Sequence, residues 1–172
     1  LRGGNGPGID RVFLDADVNA NPRALDAITN ADAILLGPGD LYTSVIPNLL
    51  VDEISHAICD TQAPVIYACN LMTKLGETAG YNSSMFAGEV VRYIGSRKLD
   101  YLLVNTESFP DEVLSGYADE MAAPVELDKG DTEKFAHEIV LSDLAWVDGV
   151  KVRHNSETLA RIVMSTIKHP RP

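Results

Sequence analysis

Residues 31–50 read ADAILLGPGDLYTSVIPNLL, and the order of residue types within them decides the fold. Ala33, Ile34, Leu35 and Leu36 form a short unbroken apolar run, the pattern of a strand buried on both faces of a parallel sheet. Gly37, Pro38 and Gly39 end it. From Ser44 onward, Val45, Ile46, Leu49, Leu50, Ile54, Ala57 and Ile58 recur at helical spacing. The spacing predicts a helix with Thr43 or Ser44 as N-cap and Pro47 within its first turn. A strand, a glycine loop and a helix start together make a candidate phosphate site. The first helical amides lack partners and the dipole places partial positive charge there. Gly37 and Gly39 admit a ligand close to the backbone, and Thr43 and Ser44 offer hydroxyls. The same glycines equally suit an ordinary strand-to-helix turn.

A chain of 172 residues fits one domain with a full hydrophobic core. The formal net charge of −11 argues against a nucleic-acid backbone or an anionic membrane as partner. Any anion site must then be local, built from amides and a few placed cations. No apolar run approaches the ~20 residues of a membrane span. Cys59 and Cys69 sit among apolar residues and read as buried thiols of a reducing cytoplasm, not as a disulfide. No signal peptide is visible, and the loop-like start LRGGNGPGID suggests a processed product or part of something longer.

Along the chain, residues 11–14 read as a first strand, and Asn21 caps a helix that opens on Pro22. The apolar run 64–69 is a strand ending at Asn70, followed by a polar loop over 71–78. A helix from about Ser83 buries Phe86, Val90 and Ile94 and closes at Gly95. Residues 101–104 are another buried strand, ending at Asn105. A helix is expected over 110–121, a strand over 123–127, and a helix capped by Asp131 through Val140. Residues 145–147 and 150–152 suggest a hairpin around Asp148 and Gly149, and a last helix runs from Ser156 to about Lys168. Strands alternating with helices predict an α/β fold: a Rossmann-like, open, mostly parallel sheet with helices on both faces. Ligands of such sheets bind beyond the carboxyl ends of the strands. Here those ends carry the 37–39 loop, Asn70 and Asn105, although both asparagines also suit plain turns.

The segments GPGDLYTSVIPNLLV (37–51), CNLMTKLGET (69–78), LLVNTE (102–107) and APVELD (123–128), in this order, resemble the gluconeogenesis-factor (YvcK-type) family. That family is related to the CofD-like 2-phospho-L-lactate transferases of deazaflavin-coenzyme synthesis. The resemblance runs from about Arg11 to the final helix. Members normally carry a further half that begins with a glycine-rich nucleotide loop after a first strand. Gly3, Gly4, Asn5 and Gly6 do not replace it, since no apolar strand precedes them. The expectation is one domain over 1–172, the C-terminal portion of a larger fold. The resemblance implies a cytoplasmic bacterial protein that binds a UDP-sugar such as UDP-N-acetylglucosamine, and that is needed for growth on gluconeogenic carbon sources and for cell shape. Two departures stand out: Asp40 where the family usually has Ser, and Met85-Phe86 where it generally has Asp-His. Both weaken a catalytic reading more than a binding one.

The residues expected to meet a nucleotide or phosphate fall on three loops. The first supplies Gly37, Pro38, Gly39, Asp40, Leu41, Tyr42, Thr43 and Ser44. The second supplies Asn70, Thr73, Gly76, Glu77 and Thr78. Asn105, Tyr117 and Arg153 complete the set. Tyr42 and Tyr117 are candidates to stack on a base, with packing as the alternative, and the resemblance favours Tyr117. Arg153 precedes a helix and could grip a diphosphate bidentately; a solvated surface arginine is its other reading. The resemblance supports the first, because the family's RH-x-T stretch matches with Ser156 in the threonine position. Ser156 is a candidate phosphorylation site or a plain N-cap. Asp40 and Glu77 are the candidate catalytic groups, as base or as ligands of a divalent metal such as magnesium. Glu77 equally suits holding the loop's own amides. His56, His137, His154 and His169 have no zinc-ligand spacing, so no zinc site is expected. The acidic clusters at 111–112, 119–120 and 126–128 read as solvated faces. Three functions remain: a UDP-sugar-binding regulator, expected to be a homo-oligomer; a 2-phospho-L-lactate transferase-like enzyme; and, on topology alone, an NAD-binding protein.

Overall fold

The computed structural model describes residues 8–95 and 97–168; the 3–6 stretch and His169 lie outside the described residues. Four parallel strands form the main sheet in the order β1-β2-β3-β4: β1 Ile34–Leu36, β2 Val65–Ala68, β3 Leu99–Asn105 and β4 Ala136–Ser142. Helix α1 (Pro22–Thr29) precedes β1. Between β1 and β2 run α2 (Ile46–Leu49) and α3 (Asp52–Asp60), and α4 (Ser83–Ile94) joins β2 to β3. Helices α5 (Asp111–Asp119) and α6 (Lys129–Thr132) lead to β4. A separate antiparallel hairpin, β5 (Ala145–Asp148) with β6 (Lys151–His154), precedes the final helix α7 (Ser156–Lys168).

Every residue of β2 is buried, as a central parallel strand requires. Its alternating side chains feed two cores. Val65, Tyr67 and Cys69 pack with Ile46, Ile58, Phe86, Val90 and Ile94 on one face. Ile66 and Ala68 pack with Phe109, Ala145, Leu159 and Ile162 on the other, bringing the hairpin and α7 over the sheet. The expected α/β architecture with both faces covered is therefore what the chain adopts. The expected caps hold as well: Asn21 Oδ1 accepts from Arg23 N–H, and Gly95, at φ 96°, closes α4 with its N–H on Val91 O.

Several boundaries differ from expectation. Residues 11–14 form no strand: Val12 N–H donates to the Tyr93 hydroxyl, Arg92 reaches Asp10 O, and Phe13 is 69% exposed, so the segment lies along α4 instead of joining a ladder. β1 is an edge strand and not doubly buried, since Leu35 is 38% exposed. The helix after the glycine loop starts earlier than Ser44. A wide turn over Leu41–Val45, with Ile46 N–H donating to Leu41 O, precedes α2, and extended Val51 separates α2 from α3. Residues 123–127 contribute one antiparallel bridge, Met72 with Pro124, because proline has no N–H to extend a ladder. The helix expected over 131–140 is instead the short α6, capped by Asp128, followed by β4. The edge of β3 pairs with residues 136–142, and β-branched Ile139 and Val140 suit a strand.

Arg97 knits the sheet's amino edge together. Its guanidinium donates to the carbonyls of Ile58, Cys59, Thr61 and Ala63 and to Asp100 Oδ2, while the same carboxylate oxygen accepts from Val65 N–H. These carbonyls close α3, whose last groups have no partner within the helix. Arg97→Ala should lower unfolding free energy by about 2–3 kcal/mol in urea titration, because it strands several half-buried acceptors at once. Arg97→Lys should recover only part of the loss, lacking the planar fork.

Candidate functional site

The carboxyl ends of β1 and β2 lie side by side, and their loops are joined by Asn70. Its Nδ2 donates to Gly39 O at 3.1 Å, and its Oδ1 accepts from the hydroxyl of buried Tyr67 at 3.0 Å. Gly37 has φ 80°, which favours glycine, and a Cβ there would stand 3.3 Å from Ala68 O. A Cβ on Gly39 would meet Ser44 Cβ at 3.0 Å. Both glycines are thus demanded by the backbone's own path. Asp40 O accepts from Ser44 and Val45 N–H, so the amides before Ser44 precede the turn's own ladder.

Beyond these strand ends opens a cavity of about 470 Å³. Gly39 and Asp40 wall one side, and residues 70–75 another. Tyr117, Glu120 and Ala122 come from the α5 segment, and Val152 and His154 from β6. Five of the expected residues therefore meet on one cavity: Gly39, Asp40, Asn70, Thr73 and Tyr117. Tyr117 is fixed there by its hydroxyl, which accepts from Val152 N–H at 2.9 Å. Thr73 and Thr78 are buried and serve their loop, Thr73 Oγ1 accepting from Ala123 N–H and Thr78 Oγ1 from Lys74 N–H.

The other expected residues lie elsewhere. Leu41 and Tyr42 point into the core, where the Tyr42 hydroxyl pairs with that of Tyr81 at 2.8 Å; burial, then this contact, raises its pKa. Thr43 and Ser44 are exposed on the turn, and neither caps it. Gly37 lies beneath the loop. Pro38 faces a separate apolar groove with Leu35 and α7. Gly76 occupies a positive-φ turn. Asn105 is spent on the backbone, donating to Glu107 O and accepting from Leu144 N–H. Arg153 stands on the other face of β6 from Val152 and His154, half-exposed, with Nε 3.6 Å from Asp148 Oδ2. Strand alternation thus removes Arg153 from the cavity. Ser156 is not the N-cap of α7: Asn155 Oδ1 accepts from Thr158 N–H. Of the acidic clusters, Glu120 lines the cavity and Asp128 caps α6, so neither is only a solvated face. Phe86 is fully buried in the core, whereas Met85 is exposed, so of this pair only Phe86 packs inside.

Two residues of the cavity wall, Lys74 and His154, are not among the expected site residues. Lys74 Nζ lies 2.7 Å from both Asp40 Oδ2 and Glu77 Oε1, joining the two candidate catalytic carboxylates. The hydrogen bond with Asp40, then that with Glu77, raises its pKa. Its position as the lone cation of the 71–78 loop was the available signal. His154 Nε2 donates to Cys69 O at 3.1 Å, and burial lowers its pKa below the usual 6.5. The Cys69 thiol is pushed up to about 12 by burial, which makes it inert, while Cys59 is half-buried; both are free. Among the described residues no cluster of three or more His, Cys, Asp or Glu could hold a metal ion, and no helix is long and apolar enough to cross a membrane.

Fold and cavity together define a parallel α/β protein with a polar site at its strand ends, the architecture used for nucleotide-like ligands. Residues 2–145 match the family described as 2-phospho-L-lactate transferase CofD, and the chain belongs to it. It is 34% identical over 164 residues to the gluconeogenesis factor of Bacillus subtilis, across 95% of this chain and 52% of that protein. It is 36% identical over 160 residues to the gluconeogenesis factor of Halalkalibacterium halodurans, across 92% and 50%. A crystal structure of a Bacillus halodurans member of the UPF0052 family superimposes with a TM-score of 0.87 at 35% identity, covering 91% of this chain and 51% of that one. The chain thus spans about half the length of the curated relatives it matches. The resemblance read from its loops is the correct one.

Asn70→Ala should cost about 1–3 kcal/mol in thermal or urea unfolding, since it leaves the buried Tyr67 hydroxyl without its acceptor. His154 sets a pH dependence of definite sign. Its folded pKa is depressed, so the unfolded chain binds the proton first. The stability it contributes is complete above 6.5 and is lost as pH falls through the folded value. The difference in unfolding free energy between the protein and His154→Gln should therefore shrink as pH drops below 6.5.

Proposed function

We propose that this chain forms the ligand-binding part of a nucleotide-sugar-binding regulatory protein, a gluconeogenesis factor that responds to a UDP-sugar such as UDP-N-acetylglucosamine. The observation that carries this reading is the 470 Å³ cavity where the loops after β1 and β2 meet Tyr117 and the β5–β6 hairpin. The diphosphate lies against Gly39 and Asp40, the part of the loop after β1 that borders the cavity. Tyr117 borders the base or the sugar, and Asn70, Thr73 and Glu120 offer polar partners for hydroxyls. By kinship with its relatives, the protein acts in the bacterial cytoplasm as a homo-oligomer and supports growth on gluconeogenic carbon and cell shape.

Family membership supports a second reading, a transferase moving a phosphoester-linked group from a nucleotide donor. Asp40 or Glu77 would then accept a proton or hold magnesium, and either role requires displacing Lys74 from its two carboxylates.

Calorimetry on the full-length protein with UDP-N-acetylglucosamine, GDP and NAD separates the readings. Binding of the UDP-sugar without turnover supports the regulator. Conversion of a guanylyl-phospholactate-type donor with a deazaflavin acceptor supports the transferase, and selective binding of NAD would displace both.

A further inference from the structure

The charges on the cavity wall set a problem for any anionic ligand. Asp40, Lys74 and Glu120 line it, and His154 is kept neutral by burial at ordinary pH. Two carboxylates therefore oppose one ammonium, in a chain of net charge −11. A phosphate entering this space gains only if the ammonium turns to it.

The arrangement around Lys74 permits that exchange. Glu77 stands outside the cavity lining and its side chain is 17% exposed, so it holds the ammonium from the protein side. Asp40 holds it from the cavity side, and the side chains of Asp40 and Lys74 are each 50% exposed. An ammonium has three donors, and these two carboxylates engage two of them. A half-exposed ion pair contributes little to stability, so its cavity-side partner is easily replaced. The two partners belong to different loops, with Asp40 following β1 and Glu77 following β2. The exchange therefore need not release the Lys74 side chain from its own loop.

Resting on the phosphate-binding reading above, we infer that Lys74 is the residue that receives the ligand's phosphate. Asp40 sets specificity by occupying Lys74 until a phosphate ester outcompetes it. Asp40 then disfavours weak, singly charged anions, and the ligand class admitted is a phosphate or diphosphate ester of higher charge density. The geometry also gives the Asp40 carboxylate a dedicated cation, so it does not face the ligand unpaired.

Calorimetric titration of UDP-N-acetylglucosamine and of inorganic diphosphate into the full-length protein and its Lys74→Met, Asp40→Asn and doubly substituted forms tests this. Lys74→Met should weaken both probes about tenfold, the size of one charge-assisted contact. Asp40→Asn should tighten both about threefold, and in the double variant that gain should vanish. Lys74→Arg should retain most of the affinity. Melting curves, expected to match the parent for these exposed positions, identify any variant that fails to fold, with Lys74→Gln as its substitute. If the parent protein binds and Lys74→Met binds equally well, the role given to Lys74 is wrong while the nucleotide-sugar reading survives. If Asp40→Asn still tightens binding without Lys74, Asp40 acts by bulk repulsion and the exchange is refuted. If neither probe binds any form, both readings fail together.

Discussion

Parallel pairing of β2 with both of its neighbours is the constraint from which the rest of the structure follows. Parallel strands point their carboxyl ends the same way, so the polar loops after β1 and β2 must emerge at one edge. The strand itself is buried on both faces and has no latitude to shift register, because a one-residue slip would exchange the two cores that its alternating side chains feed. Asn70 converts this adjacency into a fixed distance: it stands at the end of β2, yet bonds to a carbonyl of the loop after β1. The loop after β1 is thereby tied to the end of the central strand.

Much of this was legible in the sequence because local and tertiary preferences agree. The run 64–69 is apolar throughout because both its faces are covered, and Gly95 ends α4 because only a residue at ease with positive φ closes that turn. The failures come where tertiary pairing outweighs local pattern. A helix is expected from Asp131 through Val140, but the edge of β3 recruits residues 136–142 as β4. Residues 11–14 look like a strand in isolation, yet they rest on α4. The site was half legible for a similar reason. Gly39 and Asn70 follow the ends of strands and Tyr117 lies on α5, whereas Lys74, the one cation of the 71–78 loop, meets Asp40 only because two loops come together. Arg153 was misplaced because residues on a strand alternate faces, and the phase of β6 is set by the hairpin rather than by the helix that follows.

The phosphate contact proposed for Lys74 has to work within an acidic chain. Long-range attraction is unavailable at a net charge of −11, so affinity has to come from contacts within a few ångströms. A lysine fully exposed to water would hold a phosphate weakly, and one buried alone would tend to lose its proton. Lys74 is half-exposed, and its flanking carboxylates raise its pKa and hold its ammonium in place at the cavity wall. The cost is competition, which falls on Asp40 more than on Glu77 because only Asp40 shares the cavity wall.

The glycine loop itself is a weaker witness than its motif suggests. Gly37 is required by its positive φ and by the nearness of Ala68 O, and Gly39 by Ser44, whether or not a ligand ever approaches. A backbone that explains its own glycines leaves the motif with little to say about function. What distinguishes this turn from any other strand-to-helix connection is therefore its surroundings: an adjoining loop tied to it through Asn70, a tyrosine locked by its hydroxyl to the hairpin, and a lysine carried between two acids. Those features come from the loop after β2 and from the α5 and hairpin segments, so the meeting of distant parts of the chain on one cavity is what argues for a binding site.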